Sequence, residues 1–581
     1  MKKFLYIFLL LLPLAARALD VPAGKLYFDN TLTGYSRVQF LVGSYTSPVS
    51  YVFDMSFDGR KWSCDIPNTI SGMERYIFAP SNLSVGMHQR TLERLKDSIS
   101  NTLHLNRTAT NTSLITSGYI FVPYSGDNWA QGEWKSLSAW ESDRRTGVAA
   151  VSGTLPVLYI NTANGSEITS KEEYIDATWY LDSLSRSEYR SYGRPDSMLP
   201  MQIRGRGNYT WRDFDKKPFR IKLADGKKLL GMHKSKHWAL MAAADDNLGY
   251  LRNAVGHMVS RSVGMTWTPE MKPVEVVLNG RYWGLYFLTE TVRIDDKRID
   301  ITEQSDNITY PDSITGGWLV EIDNYATDGN ITLREGNGKT VMITIKDPEI
   351  LSTQQRNYIT AQMNSLNTAI YSSSAALSSV LDIDEAARYY LVQEVLEDTE
   401  SYHGSCFLYK DMDADGRSSK WTFGPVWDFG NSYWRHGERY IYDRPSFDLY
   451  WIGQIATHQC FQDSLSIHWH AFYHEGQQQV REEMEDFVDE IRDAAKNDAA
   501  RWKNTSNYRD NSDMSARYAD FLDRFNWRIQ WLYRQWGEGN PGDGSSVENV
   551  ETAQPQKIWR DGQLYILKSG RLYSLTGILV E

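Results

Sequence analysis

Residues 153–538 impose the strongest constraint on the fold, because strand and helix patterns follow one another there without a linker-like segment. The region opens with the β-rich run PVLYI at residues 156–160 and closes with an apolar helical stripe from Tyr518 to Trp536. A mixed pattern over nearly four hundred residues predicts one large α+β domain with two lobes rather than a row of small domains.

Residues 19–150 show a different pattern, in which short β-rich runs such as RVQFLV at residues 37–42 alternate with turn-forming clusters. Strands with this spacing predict a small β-sandwich. The opening sequence YFDNTLTGYSRVQFLVG resembles small starch-binding-like modules of secreted bacterial proteins, which implies glycan contact through exposed aromatic side chains. The favoured interpretation is that the aromatic residues fill the sandwich core, because aromatic side chains bury large areas.

The C-terminal residues separate into a linker and a tail. Residues 539–556 are rich in Gly, Pro, Ser and acidic side chains, which is typical of a flexible linker. Residues 557–581 contain two β-rich runs separated by a Ser-Gly turn, and this pattern predicts a tethered β-hairpin. The tail resembles the C-terminal sorting segments of exported proteins in Bacteroidetes-like bacteria.

The N-terminus predicts export. Two lysines precede an apolar run at residues 4–14, and Ala16-Arg17-Ala18 has the pattern of a cleavage site. The apolar run is shorter than the about 20 residues needed to span a bilayer. Residues 1–18 are therefore interpreted as a secretory signal peptide, which places the protein in the periplasm, at the cell surface or outside the cell, without a transmembrane segment.

Composition excludes several classes of protein. The 73 acidic side chains exceed the 62 basic ones, and this balance disfavours a nucleic-acid-binding protein, which needs a basic face. Cys64, Cys406 and Cys460 are too few and too widely spaced for a zinc ribbon or a fully paired disulfide framework. Cohesion is expected to come from packing.

A hairpin pattern brings two carboxylates together. Residues 405–410 and 420–430 read as β-type runs joined by an Asp-Gly turn. Glu400 precedes this hairpin and Asp428 lies near its end, so we expect their carboxylates to converge at the open end. Such a pair can bind Mg²⁺ or supply a base and a metal ligand for phosphoryl transfer. Asp428-Phe-Gly also spells the metal-binding tripeptide of protein kinases.

A candidate phosphate site lies upstream. The glycine-containing turn RGRGNYTW ends at Trp211, and the strand PFRIKL at residues 218–223 follows it. Exposed backbone amides and a strand lysine, Lys222, form a suitable cradle for phosphate groups.

Several ordered motifs together resemble the CotH family of spore-coat-protein-H-type atypical kinases. They are RGRGNYTW, KKPFRIKL, LLGMHKSKHWALMAAADDNLGYLRN, VVLNGRYWGLYFLTETV, GGWLVEID and FGPVWDFGNSYW. The resemblance covers residues 153–538. It implies a bilobal kinase-like fold and transfer of phosphate from ATP to protein hydroxyl groups with Mg²⁺ or Mn²⁺.

The same resemblance implies roles for particular residues. Lys222 would contact the nucleotide phosphates and Asp428 would coordinate the metal ion. The other neighbours of the nucleotide would be Arg206, Asn208, Arg252 and Glu290. The helix that follows the lysine strand has no glutamate for Lys222, which leaves Asp245 or Asp246 as its partner.

One motif departs from the family. Where the family has an aspartate followed five residues later by an asparagine, this chain has Glu400 and Ser405. Glu400 is the predicted base and Ser405 the predicted second metal position, with Asp398 as an alternative base. The departure leaves two alternatives open, namely a weak or inactive kinase-like surface protein that binds glycans or proteins, and an enzyme that transfers AMP.

Two other patterns are weaker metal candidates. Asp411, Asp413 and Asp415 have the spacing of a calcium loop, but the twelfth position lacks the required glutamate, so an Asp-rich turn is favoured. His470 and His474 are one helical turn apart near His468, but no H-E-x-x-H pattern is present, so structural or surface histidines are favoured.

Overall fold

The computed structural model describes residues 151–541, except 185, 327–330, 414–418, 435, 444–447, 504, 506 and 508. It also describes residues 19–21, 23–29, 37–43, 50–57, 61–73, 75–81, 119–123, 132–140, 556–560, 563–568 and 571–574. The predicted signal peptide and most of the predicted linker lie outside these residues. No helix within them is long and apolar enough to cross a membrane.

The N-terminal strands form two main sheets that share one core. The strands are β1 (Leu19–Val21), β2 (Gly24–Asp29), β3 (Arg37–Gly43), β4 (Tyr51–Asp54), β5 (Ser56–Phe57), β6 (Lys61–Ile66), β7 (Ile70–Met73), β8 (Arg75–Ser81), β9 (Tyr119–Pro123) and β10 (Gly132–Ser136). One sheet has the order β10-β9-β2-β6-β5, the other β4-β3-β8, and β1 pairs with β7. Phe28 of the first sheet stacks on Phe78 of the second with ring centroids 4.8 Å apart. These aromatic side chains are buried core residues.

A closed β-barrel follows. Its strands are β11 (Val157–Thr162), β12 (Ile175–Asp182), β13 (Leu199–Gly205), β14 (Phe219–Lys227), β15 (Ser235–Met241), β16 (Met271–Leu278) and β17 (Arg281–Glu290), with helices α1 (Tyr209–Asp213) and α2 (Leu251–Ser262) between them. The order β11-β12-β13-β14-β15-β17-β16 is closed by parallel pairing of β16 with β11. On β14, Phe219, Ile221 and Leu223 are buried in the barrel core while Arg220 and Lys222 point outwards.

The rest of the large domain is a five-stranded sheet with helices. The sheet has the antiparallel order β19-β20-β18-β21-β22. Its strands are β18 (Trp318–Ile322), β19 (Ile331–Arg334), β20 (Thr340–Asp347), β21 (Cys406–Lys410) and β22 (Thr422–Phe423). The helices are α3 (Thr353–Ile370), α4 (Ser374–Val380), α5 (Ile383–Val395), α6 (Ile452–Ile455), α7 (Gln459–Ala471), α8 (Gln477–Trp502) and α9 (Met514–Trp536). The predicted α+β class is confirmed, and so is the predicted hairpin, in which Leu408 lies opposite Phe423.

The C-terminal tail differs from its prediction. It contains β23 (Gln556–Arg560), β24 (Gln563–Lys568) and β25 (Arg571–Ser574), which form a three-stranded antiparallel sheet instead of a two-stranded hairpin. The additional strand includes the β-forming residues Ile558 and Trp559, and an Asp-Gly pair separates it from β24. The sequence prediction began this tail too late and assigned its first residue to the linker.

Asp498 of α8 connects three parts of the large domain from a buried position. Its carboxylate lies 2.9 Å from the ammonium group of buried Lys216. The Tyr250 hydroxyl, just before α2, donates to it at 2.8 Å, and the backbone amide of Leu285 on β17 donates at 2.9 Å. At Gly284 a Cβ atom would collide with this carboxylate, so the close approach of α8 to β17 requires glycine.

We expect Asp498→Ala to lower the free energy of unfolding by about 3–5 kcal/mol, because the substitution leaves the Lys216 charge buried without a partner. The control is Asp493→Ala on the same helix, which removes an exposed ion pair with Lys496 and should cost less than about 1 kcal/mol. Urea titration of the full chain measures both values. Equal losses in the two variants would contradict the assigned role of Asp498.

Candidate functional site

A cavity of about 840 Å³ lies between the barrel and the five-stranded sheet. Strands β14 and β15 contribute Arg220, Ala239 and Met241 to one wall, while β18 and β21 contribute Glu321 and Phe407 to the other. The volume lies within the about 300–1,000 Å³ that is usual for small-molecule sites.

Two carboxylates in the cavity lining converge on Gly430. A Cβ atom placed on Gly430 would lie 3.2 Å from Asp428 Oδ1 and 3.3 Å from Asp245 Oδ2. The backbone amide of Gly430 itself donates to Asp428 Oδ1 at 3.2 Å. Burial, together with the charges of Asp428 and Asp246, raises the pKa of Asp245 to about 7. The sequence alone does not pair Asp245 with Asp428, because the two residues are far apart in the chain.

This carboxylate pair fits a divalent cation. Mg²⁺ prefers oxygen ligands and is commonly held by one or two carboxylates together with phosphate groups and waters. Asp428 and Asp245 supply two such side chains, and a cation between them would relieve their repulsion. Across the described parts of the chain, no group of three or more His, Cys, Asp or Glu side chains forms a metal cluster, so the remaining ligands would have to come from a bound ligand, from water or from other oxygen atoms.

Helix α2 fixes the position of both carboxylates. Asn253 Oδ1 accepts the backbone amide hydrogen of Phe429 at 3.0 Å. The Phe429 ring packs so closely on Gly256 that a Cβ there would collide with it. Buried Arg252 donates to the carbonyl oxygens of Gly430 at 3.2 Å and Asp245 at 3.4 Å. The predicted site residue Arg252 therefore lines the cavity and also holds the segments that carry the carboxylates.

The cavity is also lined by arginines, Arg206 and Arg220, whose charge is not fully balanced by neighbouring groups. Arg206 lies over the Trp427 ring at 5.6 Å, and burial lowers the pKa of its guanidinium to about 10, against the opposing effect of Asp428. Burial likewise lowers the pKa of Arg220. Arg220 Nε is buried and has no hydrogen-bond partner among the described residues. Asn208 lies at the same cavity and accepts a hydrogen bond from Lys171 at 2.8 Å.

The structure does not place Lys222 or Glu290 among the residues that line the cavity. Lys222 is exposed and lies beyond Arg220 on the same face of β14, and of these two residues Arg220 is the one that lines the cavity. Glu290 is fully buried and pairs with Arg298 at 2.8 Å, which gives it a structural role. Side chains alternate between the two faces of a strand, so Arg220 and Lys222 are expected on the same face. This alternation does not tell which of the two reaches the cavity.

Glu400 and Ser405 both line the cavity that contains Asp428. Burial raises the pKa of Glu400, and the charge of Asp428 contributes in the same direction. Asp398 lies outside the cavity lining, is almost fully buried, and accepts the Glu400 backbone amide at 3.2 Å. Burial raises the pKa of Asp398 well above its usual range. Glu400 is therefore the better placed of the two candidate bases.

The weaker metal candidates have structural partners. Asp411 accepts the backbone amides of Thr302 and Met412, and Asp413 pairs with Lys410 at 2.6 Å. Asp415 lies outside the described residues.

The histidines also have partners. His468 lies 2.6 Å from Asp384, and His470 Nδ1 lies 3.0 Å from the carbonyl oxygen of Glu538. His474 lies beside His470, with ring centroids 4.3 Å apart. The favoured structural interpretation is confirmed for His468 and His470.

The fold and the cavity, taken with the sequence comparison, define a kinase-like protein. The model of the family described as CotH kinase protein matches residues 203–528, more than half of the chain. The chain belongs to the CotH kinase protein family. No curated protein matches it.

A pair of variants tests which basic residue of β14 faces the ligand. We expect Arg220→Met to weaken binding of Mg-ATP by about 1.5–3 kcal/mol, because it removes a hydrogen bond from a charged donor. Lys222→Met, on the same strand but outside the cavity, should leave the affinity unchanged. Isothermal titration calorimetry measures both, and a loss confined to Lys222→Met would reverse the assignment.

Proposed function

We propose that this protein is an exported CotH-type kinase that transfers the γ-phosphate of ATP to protein hydroxyl groups with Mg²⁺ or Mn²⁺. The observation that carries the proposal is the convergence of Asp428 and Asp245 on Gly430, in one cavity with Glu400 and the arginines. This set provides metal ligands, a base and phosphate-binding groups within one cavity.

Each group has a stated task. Asp428 and Asp245 would hold the metal ion, whose charge would offset the negative charge of the phosphates, and Ser405 offers a hydroxyl ligand from the lining of the same cavity. Arg206 and Arg220 bind phosphate oxygens, since guanidinium groups recognise phosphate in a planar, multidentate way. Arg252 is a positioning residue that keeps Gly430 and Asp245 in register.

Glu400 accepts the proton of the attacking hydroxyl group. Its carboxylate faces the same cavity as Asp428, and its raised pKa makes it a better proton acceptor near neutral pH than an exposed glutamate. The additional methylene relative to aspartate shifts the carboxylate within the site, and this is the reason to test it directly.

The second candidate function is a weak or inactive kinase-like surface protein that binds glycans or proteins. The observation in its favour is that Glu400 and Ser405 replace the family's aspartate and asparagine. The N-terminal sandwich contacts the barrel through a buried ion pair, in which Arg281 lies 3.1 Å from Asp29. The aromatic residues of the sandwich described above, such as Phe28 and Phe78, lie in its core. Glycan contact by this module would therefore have to use other side chains, such as exposed Tyr51.

Incubation with γ-labelled ATP and Mg²⁺ or Mn²⁺ tests the proposed activity. We expect phosphate incorporation by the wild type, loss of it in Asp428→Asn, and a decrease of about 10²–10⁴-fold in Glu400→Gln, which removes the base. Asp312→Asn, which changes an exposed carboxylate outside the cavity, is the matched control.

Three outcomes separate the candidates. Absence of both transfer and a nucleotide-dependent thermal shift would refute the kinase proposal. A thermal shift without transfer supports the weak or inactive alternative. Label from α-labelled ATP on the protein would indicate AMP transfer instead of phosphate transfer.

Export is proposed from the pattern of residues 1–18. We expect the secreted or periplasmic protein to begin at Leu19, because signal peptidase cleaves after the small residue Ala18. N-terminal mass analysis of the mature protein measures this. An intact Met1 in the exported fraction would contradict the predicted cleavage.

A further inference from the structure

Tyr325 lies over the loop that carries the candidate base. Its backbone amide donates to Asp323 Oδ1 at 3.0 Å in the turn after β18. Its ring meets His403 edge to face with centroids 5.2 Å apart, and it covers Gly404 so closely that a Cβ there would lie 3.0 Å from the ring. The glycine at position 404 therefore leaves room for this tyrosine.

The hydroxyl group of Tyr325 donates a hydrogen bond to Glu400 Oε1. No other side-chain hydroxyl in the described residues hydrogen-bonds to Glu400, although Ser405, Thr210 and Thr291 line the same cavity. A hydroxyl group on the base is the arrangement that general-base catalysis requires before proton transfer.

Tyr325 also lies in the same cavity as the candidate metal ligand Asp428. It lines the cavity together with Asp428 and Gly430. Burial raises the pKa of its phenol, the bond to Glu400 adds to this, and the charge of Asp428 acts in the same direction. The phenol oxygen therefore lies within electrostatic range of both Glu400 and Asp428.

We propose that Tyr325 is the protein's own phosphoacceptor, modified in cis in the site that Glu400 and Asp428 define. The inference rests on the proposed function. Tyr325 Oη forms a bond to the γ-phosphorus of a nucleoside triphosphate, and the bond from that phosphorus to the bridging oxygen breaks. The bridging oxygen leaves with the electron pair as part of the nucleoside diphosphate, and the phenol proton moves to Glu400.

The product has a physical consequence for the site. A phosphate group on Tyr325 would carry negative charge next to Glu400, Asp323 and Asp428, and like charges at this distance repel. The ring is half exposed, so the modified side chain has a route into solvent. Phosphorylation of Tyr325 therefore releases Glu400 to accept a proton from an external hydroxyl group.

The main experiment maps phosphate on the full chain after incubation with Mg-ATP. We expect mass spectrometry to find phosphotyrosine at position 325, Tyr325→Phe to lose that site, and Tyr310→Phe, which changes an exposed tyrosine outside the cavity, to keep it. Because the acceptor and the base belong to one chain, the rate should not depend on protein concentration. A rate proportional to concentration would overturn modification in cis.

A second measurement needs no nucleotide. Carbodiimide and glycine ethyl ester label accessible carboxyl groups, and Glu400 should be protected in the wild type and labelled several-fold more in Tyr325→Phe. Tyr310→Phe should match the wild type. Equal labelling of Glu400 in the wild type and Tyr325→Phe would overturn the inference, because the Tyr325 hydroxyl group would then not be bound to the Glu400 carboxylate.

The outcomes distinguish this inference from the function on which it rests. Phosphate on a generic protein acceptor, with Tyr325 unmodified, overturns the inference and leaves the proposed kinase activity standing. Absence of transfer to any acceptor overturns both.

Discussion

The buried carboxylate of Asp498 is the interaction on which the arrangement of the large domain depends. It lies where the loop before β14, the start of α2, strand β17 and helix α8 meet, and each of the first three supplies a donor to it. A buried charge is tolerated only with such partners, so these elements can pack in few other ways. Helix α2 starts directly after Tyr250, and the same helix holds Phe429 and Gly430 through Asn253 and Arg252. The position of Asp428 is thus set by contacts that begin far outside the cavity.

The parts of the site that lie close in sequence could be predicted. The hairpin of β21 and β22 follows from two β-type runs and a turn, and it accounts for the presence of Glu400 and Asp428 in one cavity. Arg206, Asn208 and Arg252, which the family resemblance assigned to the nucleotide, line the same cavity, and their contact with a nucleotide stays a prediction. These placements in one cavity follow from local patterns and from ordered motifs.

The contacts between distant segments could not be predicted. Asp245 and Gly430 are brought together by tertiary packing, in which Gly256 of α2 lies against Phe429, and no spacing in the sequence encodes this contact. Glu290 was predicted to lie beside the nucleotide. In the structure its buried carboxylate pairs instead with Arg298, eight residues later. Tyr325 carries no motif at all. Its importance comes from a hydrogen bond to a residue seventy-five positions away.

The charged groups of the cavity are not fully paired by other groups of the protein. Burial raises the pKa of Asp245 to about 7 and lowers that of Arg206 to about 10. Burial therefore disfavours the charged form of both Asp245 and Arg206. Direct pairing of all these groups would satisfy them, but Arg220 Nε has no partner among the described residues, and Asp428 and Asp245 both lie close to Gly430. A ligand that combines a divalent cation with several phosphate groups has the complementary charges, because the cation offsets the carboxylates and the phosphates offset the arginines. If such a ligand binds only the folded state, it would also stabilise the fold that creates the site.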